Sequence, residues 1–128
     1  MIEKLVPPTM AKPASAYAHG AVIPAGARTL HVSGQLGLAA DGRVGNGAAE
    51  QLELAFINVL AVVEAAGMTA MDLAKITAFL TNTDQIPAFR ETRDRLLPGV
   101  ACASSMVIVS ALAAPPFLVE IEAVAARA

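Results

Sequence analysis

Residues 47–67 read GAAEQLELAFINVLAVVEAAG, and this stretch decides the fold class. Its large apolar side chains recur at the spacing of one helical face, and they are Leu52, Phe56, Val59, Leu60 and Val63. Glutamates near its start suit the positive end of a helix dipole, and Gly67 is a common residue type just beyond a helix. The sequence therefore predicts a helix over residues 47–66 that buries one stripe.

Segments with the composition of β-strands lie on both sides of this helix. Before it, Tyr17–Ile23 and Thr29–Ser33 flank a Pro-Ala-Gly turn, which predicts a β-hairpin. After it, Leu73–Thr81 contains β-branched residues, and two more strands are predicted at Ser105–Leu112 and Phe117–Ala125. The predicted helix is therefore set between strands.

A second helix is predicted after the strand that ends at Thr81. Asn82 and Asp84 offer capping oxygens, Pro87 suits a first turn, and the helix runs to about Leu97. One mixed sheet with both helices on one face accommodates this order of elements, which gives a single α+β domain over residues 1–128. We expect the opposite face of the sheet to stay apolar and to close an oligomer.

The composition is more apolar than a monomer of this size needs. Hydrophobic residues make up 55% of the chain and charged residues only 16%, whereas about a quarter is usual for charged residues. No apolar run approaches the roughly 20 residues of a membrane-spanning helix, and the start, MIEKLVPPTM, has no apolar signal core. The sequence therefore predicts no membrane segment and permanent contacts between copies of the chain.

Charge and cysteine content exclude several other classes of protein. The net charge is −2 and aromatic residues make up 4%, without tryptophan, so neither a basic face nor stacking platforms for nucleic acid are present. The single cysteine, Cys102, excludes an intrachain disulfide and favours a reducing cytoplasm. One cysteine with His19 and His31 does not make a metal site.

Four segments, taken in order, resemble the YjgF/RidA family, also called L-PSP-type proteins. They are Ser33–Gly37 (SGQLG), Val63–Gly67 (VEAAG), Lys75–Thr81 (KITAFLT) and Val119–Ala125 (VEIEAVA). The resemblance implies a chorismate-mutase-like α+β fold and a homotrimer with clefts between its subunits. It also implies hydrolysis of enamine and imine intermediates, such as 2-aminoacrylate, to keto acids and ammonia, with no metal or organic cofactor.

The resemblance assigns three candidate site residues directly. Tyr17 matches a cleft tyrosine, Gly34 a ligand-contacting glycine, and Glu120 a glutamate that positions or polarises water. Tyr17 and Glu120 are therefore the candidate catalytic residues, and Gly34 is a candidate substrate contact.

The family's carboxylate-binding arginine is replaced in this chain. Its Pro-Ala-Arg-Ser segment corresponds to Cys102–Ser105, so Ser104 stands at the arginine, and Met106 stands where the family has a cysteine. Arg90 takes the place of an asparagine on the second helix. We hypothesise that Arg90 supplies the missing cation and that Ser104, Ser105 and Met106 contact the substrate; alternatively, Arg90 is a solvated charge paired with a neighbouring acid.

Three functions remain open from the sequence. The first is an enzyme that hydrolyses an enamine or imine, and the second is a non-catalytic trimeric module that binds a small carboxylate metabolite. The third is an L-PSP-type endoribonuclease, which the acidic chain disfavours. A nucleophilic Cys102 would need a nearby base, so we interpret it as a small, partly buried residue.

Overall fold

A computed structural model describes residues 1–128, which form two helices and two sheets. The elements are β1 (Glu3–Leu5), β2 (Gly20–Val22), β3 (Arg28–Leu36), α1 (Gly47–Ala65), β4 (Leu73–Leu80), α2 (Ile86–Leu96), β5 (Ala103–Ile108) and β6 (Val119–Arg127). Short 3-10 turns at Ala70–Asp72 and Thr83–Gln85 lead into β4 and α2. Neither helix is long and apolar enough to cross a membrane.

The main sheet has the strand order β3-β6-β4-β5. The last strand, β6, lies between β3 and β4 and is antiparallel to both, whereas β4 and β5 are parallel. The sheet is therefore mixed, and the predicted α+β architecture is confirmed.

Strict alternation along the central strands sends one set of side chains toward the helices. On β4, Ile76, Ala78 and Leu80 are buried, and on β6 the same holds for Val119 and Ile121. The stripe predicted on α1 packs on this face, with Leu52, Phe56, Val59 and Val63 buried and Leu60 partly buried against the core. Phe56 stacks on Phe89 of α2 with 5.8 Å between ring centroids, so both helices share one core. Burying a side chain such as Phe56 contributes about 1.5–3 kcal/mol.

The predicted hairpin between Tyr17–Ile23 and Thr29–Ser33 is wrong. Strand β2 begins only at Gly20 and pairs with β1, while β3 pairs along its length with β6. Longer pairing is the physical reason: β3 and β6 have nine residues each, and β3 places Val32 in the core. Strand β2 has only three residues and could not pair with β3 over a comparable length.

The open face of the sheet is not apolar as expected. It carries polar side chains around a depression of about 310 Å³, among them His31, Ser33, Lys75, Thr77 and Glu122. Successive side chains of a strand point to opposite faces of the sheet. The apolar side chains point toward the helices, so mostly polar side chains lie on the open face. The exposed apolar surplus lies elsewhere, at Leu5, Val6, Val22 and Ile23 of the small sheet and at Val107 and Ile108 of β5.

One buried polar side chain on α1 holds two loops in place. Gln51 is 2% exposed and donates from Nε2 to the carbonyl oxygens of Gly45 (3.1 Å) and Pro116 (2.9 Å). Its Oε1 accepts from the backbone N–H of Leu118 at 2.8 Å. Gly37 packs so closely that a Cβ there would lie 2.6 Å from the Cα of Gln51. The amide therefore fixes the loops that precede α1 and β6.

Candidate functional site

A cleft of about 230 Å³ opens between α2, β5 and the loop that precedes β2. It is lined by Ala14, Ser15, Tyr17, Phe89, Arg90, Arg93, Ser104 and Met106. Ser104 and Met106 pair in register with Ile76 and Ala78, which are buried on the helix side, so both face α2. The cleft therefore brings together four of the seven residues selected from the sequence: Tyr17, Arg90, Ser104 and Met106.

The loop that carries Tyr17 is held against β5 by backbone bonding. The N–H of Ala18 donates to the carbonyl oxygen of Cys102 at 3.0 Å, next to the start of β5. The Tyr17 hydroxyl accepts a long hydrogen bond of 3.4 Å from the N–H of Ala14, and its ring meets His19 edge-on at 5.9 Å. His19 itself donates from Nε2 to Ala11 at 2.8 Å. The phenol is thus placed in the cleft with its O–H free to donate.

The two arginines of the cleft have different environments. Arg90 is exposed and makes no ion pair within the chain, so the predicted pairing with a neighbouring acid is not present. Arg93 is only 4% exposed and lies over the ring of Phe89, with 5.6 Å from Cζ to the centroid. Its Nε and Nη2 both donate to Oδ1 of Asp94 at 3.1 Å.

Sequence reasoning missed Arg93, which lies within the charged stretch from Arg90 to Arg95. The spacing of residues on α2 could have identified it. Phe89 and Arg93 are four residues apart and therefore share a face of α2, and a large aromatic residue such as Phe89 favours a buried face. The structure buries Phe89, Thr92 and Arg93 along that face.

Glu120 and Gly34 form a second group on the open face of the sheet. Glu120 pairs in register with Phe79 of β4, between the buried Val119 and Ile121. The register of β3 against β6 shifts between Val32 and Gln35, and Gly34 lies in this bulge. A Cβ on Gly34 would fall on the Glu120 carboxylate, 2.7 Å from its Cδ, so glycine makes room for that group.

Ser105 also faces away from the cleft. It neighbours Ser104 on β5, so its side chain points to the opposite side of the sheet, where its Oγ accepts from Nζ of Lys75 at 2.8 Å. One chain therefore divides the predicted site residues between the two faces of its sheet.

Cys102 is buried and free. Burial raises the pKa of its thiol, and the positive charges of Lys4, Arg93 and Lys75 offset this only in part. A neutral, buried thiol is a poor nucleophile, which agrees with its interpretation as a packed residue. No three side chains among the histidines, cysteine, aspartates and glutamates lie close enough together to hold a metal ion.

The fold and the cleft define a class of protein: a small α+β domain with a pocket that is cationic and of metabolite size. The sequence profile of the Endoribonuclease L-PSP family matches residues 9–127. No curated protein matches the chain at a significant level. The chain belongs to the YjgF/RidA family, whose profile carries the L-PSP name.

Solved structures agree with this assignment. The Rid-family protein YyfB from Yersinia pestis is 28% identical, with 97% of each chain covered and a TM-score of 0.87. E. coli TdcF with bound serine is 28% identical over 88% of each chain with a TM-score of 0.75. The YjgF gene product of E. coli is 28% identical over 91% of each chain with a TM-score of 0.73.

Proposed function

We propose that this chain binds a small carboxylate in the cleft and hydrolyses an enamine or imine of the 2-aminoacrylate type to a keto acid and ammonia. The charge of the cleft is the observation that carries this proposal. Arg90 and Arg93 are among its lining residues, and no aspartate or glutamate is. Such a lining favours an anion, and the relative TdcF holds serine, a small molecule with a carboxylate.

The chemistry needs a proton donor and an oriented water besides the cation. Protonation of the enamine carbon gives the imine, water adds to the imine carbon, and ammonia leaves as the carbonyl forms. The Tyr17 hydroxyl lies in the cleft and can donate a hydrogen bond to the ligand. Glu120 is the candidate for holding the water, with its carboxylate seated against Gly34.

The separation of Tyr17 and Glu120 supports a site built from two copies. Tyr17 lies in a cleft on the helix side of β5, while Glu120 projects from the open face of the same sheet. We propose a homotrimer in the cytoplasm, in which Glu120 of one subunit approaches the cleft of the next. The outer edge of β5 supports such contacts, because it is unpaired beyond Ala103 and exposes Val107 and Ile108.

The test is an assay of keto acid and ammonia release from freshly generated 2-aminoacrylate. Tyr17→Phe and Glu120→Gln should each lower the accelerated rate at least roughly tenfold. Heterotrimers formed by refolding the two variants together should regain activity, since some clefts then combine an intact Tyr17 with an intact Glu120. Analytical ultracentrifugation checks the threefold mass. No acceleration by the native chain would refute the hydrolytic function.

A non-catalytic binding module is the second candidate. The observation that favours it is Ser104, which offers the cleft a neutral hydroxyl where the resemblance implies an arginine. In this case the native trimer would bind small carboxylates without turnover. Ribonuclease activity is not favoured, because the chain is acidic.

A further inference from the structure

Arg93 is the buried cation of the molecule. Among the three arginines of α2, Arg90 and Arg95 are exposed, whereas Arg93 has a side-chain exposure of 5%. Taking a guanidinium out of water is costly unless its N–H groups are bonded and its charge is paired. The partners of Arg93 therefore decide what the residue does.

The bonding of Arg93 within the chain is uneven. Its Nε and Nη2 converge on one oxygen of Asp94, and that side chain is 58% exposed and solvated. The remaining nitrogen, Nη1, reaches only Oγ of Ser15 at 3.5 Å, the outer limit of a hydrogen bond. Ser15 and Arg93 both line the cleft, so the weakly bonded end of the guanidinium is at the cleft wall.

Neighbouring groups fix the orientation of the Arg93 guanidinium. The Phe89 ring lies under the guanidinium at 5.6 Å, and Asp94 holds the Nε side. A planar donor group held in this way loses little conformational freedom when it binds a carboxylate. Arg90 has no such support, because it is exposed and unpaired.

We infer that Arg93 is the residue that binds the ligand carboxylate, from α2 rather than from β5. Ser104 of β5 also lines the cleft and is neutral, so no second guanidinium from that strand repels Arg93. The cleft volume of about 230 Å³ is enough to admit a short 2-oxo or 2-imino monocarboxylate. This inference rests on the proposed carboxylate function and identifies the residue that carries it.

Calorimetric titration of the full chain with 2-oxobutyrate tests this assignment, with butanone as the uncharged comparison. Native protein should bind 2-oxobutyrate and not butanone. Arg93→Gln should weaken binding about tenfold to a hundredfold, and Arg93→Lys, which keeps the charge without the fork, should fall between. Arg95→Gln is the matched control on the same helix, since Arg95 pairs with Glu53 outside the cleft. An affinity unchanged in Arg93→Gln, or a larger loss in Arg90→Gln, would overturn the assignment.

Asp94→Asn keeps the test decisive where Arg93→Gln does not fold. Its amide oxygen can still accept from Nε and Nη2 and keep the guanidinium oriented, while the competing negative charge is removed, so 2-oxobutyrate should bind at least about threefold more tightly. Glu91→Gln removes the same charge from an exposed position of α2 and should leave affinity unchanged. Equal affinity in native and Asp94→Asn protein would then overturn the assignment. If binding depends on Arg93 but no keto acid and ammonia are released, this inference stands and the hydrolytic function is refuted. If hydrolysis survives in Arg93→Gln, the hydrolytic function stands and this inference is refuted.

Discussion

Replacing Gln51 with leucine removes the buried amide that ties α1 to two loops. The side chain makes three hydrogen bonds, to Gly45, Pro116 and Leu118. Each bond contributes about 1 kcal/mol, and a partner left without water costs a further 1–3 kcal/mol. Pro116 and Leu118 are partly accessible to water, so the lower end applies to them. We expect the free energy of unfolding to fall by about 3–5 kcal/mol.

Urea and thermal unfolding measure this loss. For 128 residues, about 1 kcal/mol corresponds to roughly 4 °C, so Tm should fall by roughly 10–20 °C. Protein concentration must be equal in all samples, because an assembled protein gains stability with concentration. Glu53→Gln is the control on the same helix; it breaks only the exposed pair with Arg95 and should cost at most about 0.5 kcal/mol. A loss below about 1 kcal/mol for Gln51→Leu would refute the role given to the amide.

Three further predictions follow from other contacts. Gly34→Ala should change the free energy of unfolding by less than about 1 kcal/mol, because the flexible Glu120 carboxylate can rotate away, yet lower 2-aminoacrylate hydrolysis at least about tenfold; full activity would contradict this. Because burial raises the pKa of the Cys102 thiol, a disulfide reagent at neutral pH should modify native protein about a hundredfold more slowly than urea-unfolded protein, and equal rates would contradict the packing described. Hydrogen bonds from Arg43 and from the N–H of Asn46 lower the pKa of Glu50 below its ordinary value of 4.5, so its contribution to stability is present above that value and is lost as the pH falls. Glu50→Gln should therefore lower Tm at pH 7 and not at about pH 3, as followed by circular dichroism; an equal difference at both pH values would refute the linkage.

Local periodicity predicted most of the main elements. The helical spacing of apolar residues predicted a buried stripe on α1, and that stripe is buried in the structure. The β-branched residues of Leu73–Thr81 predicted a strand there, and β4 covers this segment with one face buried. The short strand β1 was not predicted, because three residues carry no periodic signal and their partner β2 lies 15 or more residues away. The pairing of β3 was predicted wrongly because a turn between two strands favours a local hairpin, while the stronger pairing is with β6.

The site was less predictable than the fold. Tyr17 and Ser104 came from the family resemblance, and the structure brings them to one cleft through the bond between Ala18 and Cys102. Arg93 was hidden because exposure of a charged residue on a helix depends on what packs beside it, and here Phe89 and Ser15 do. The sequence shows that Arg93 is charged but does not show which side chains pack against it.

The position of β6 in the sheet has a consequence for how the chain folds. This strand follows all others in sequence, yet it is the one to which both β3 and β4 are bonded. Its pairing with β3 closes a loop of about 90 residues, and the entropy of that closure must be overcome before most of the sheet exists. Topology of this kind slows folding relative to locally connected domains of equal stability. Until β6 docks, α1 has only part of its partner surface, so the collapsed chain exposes apolar residues during the interval in which it is most prone to aggregate.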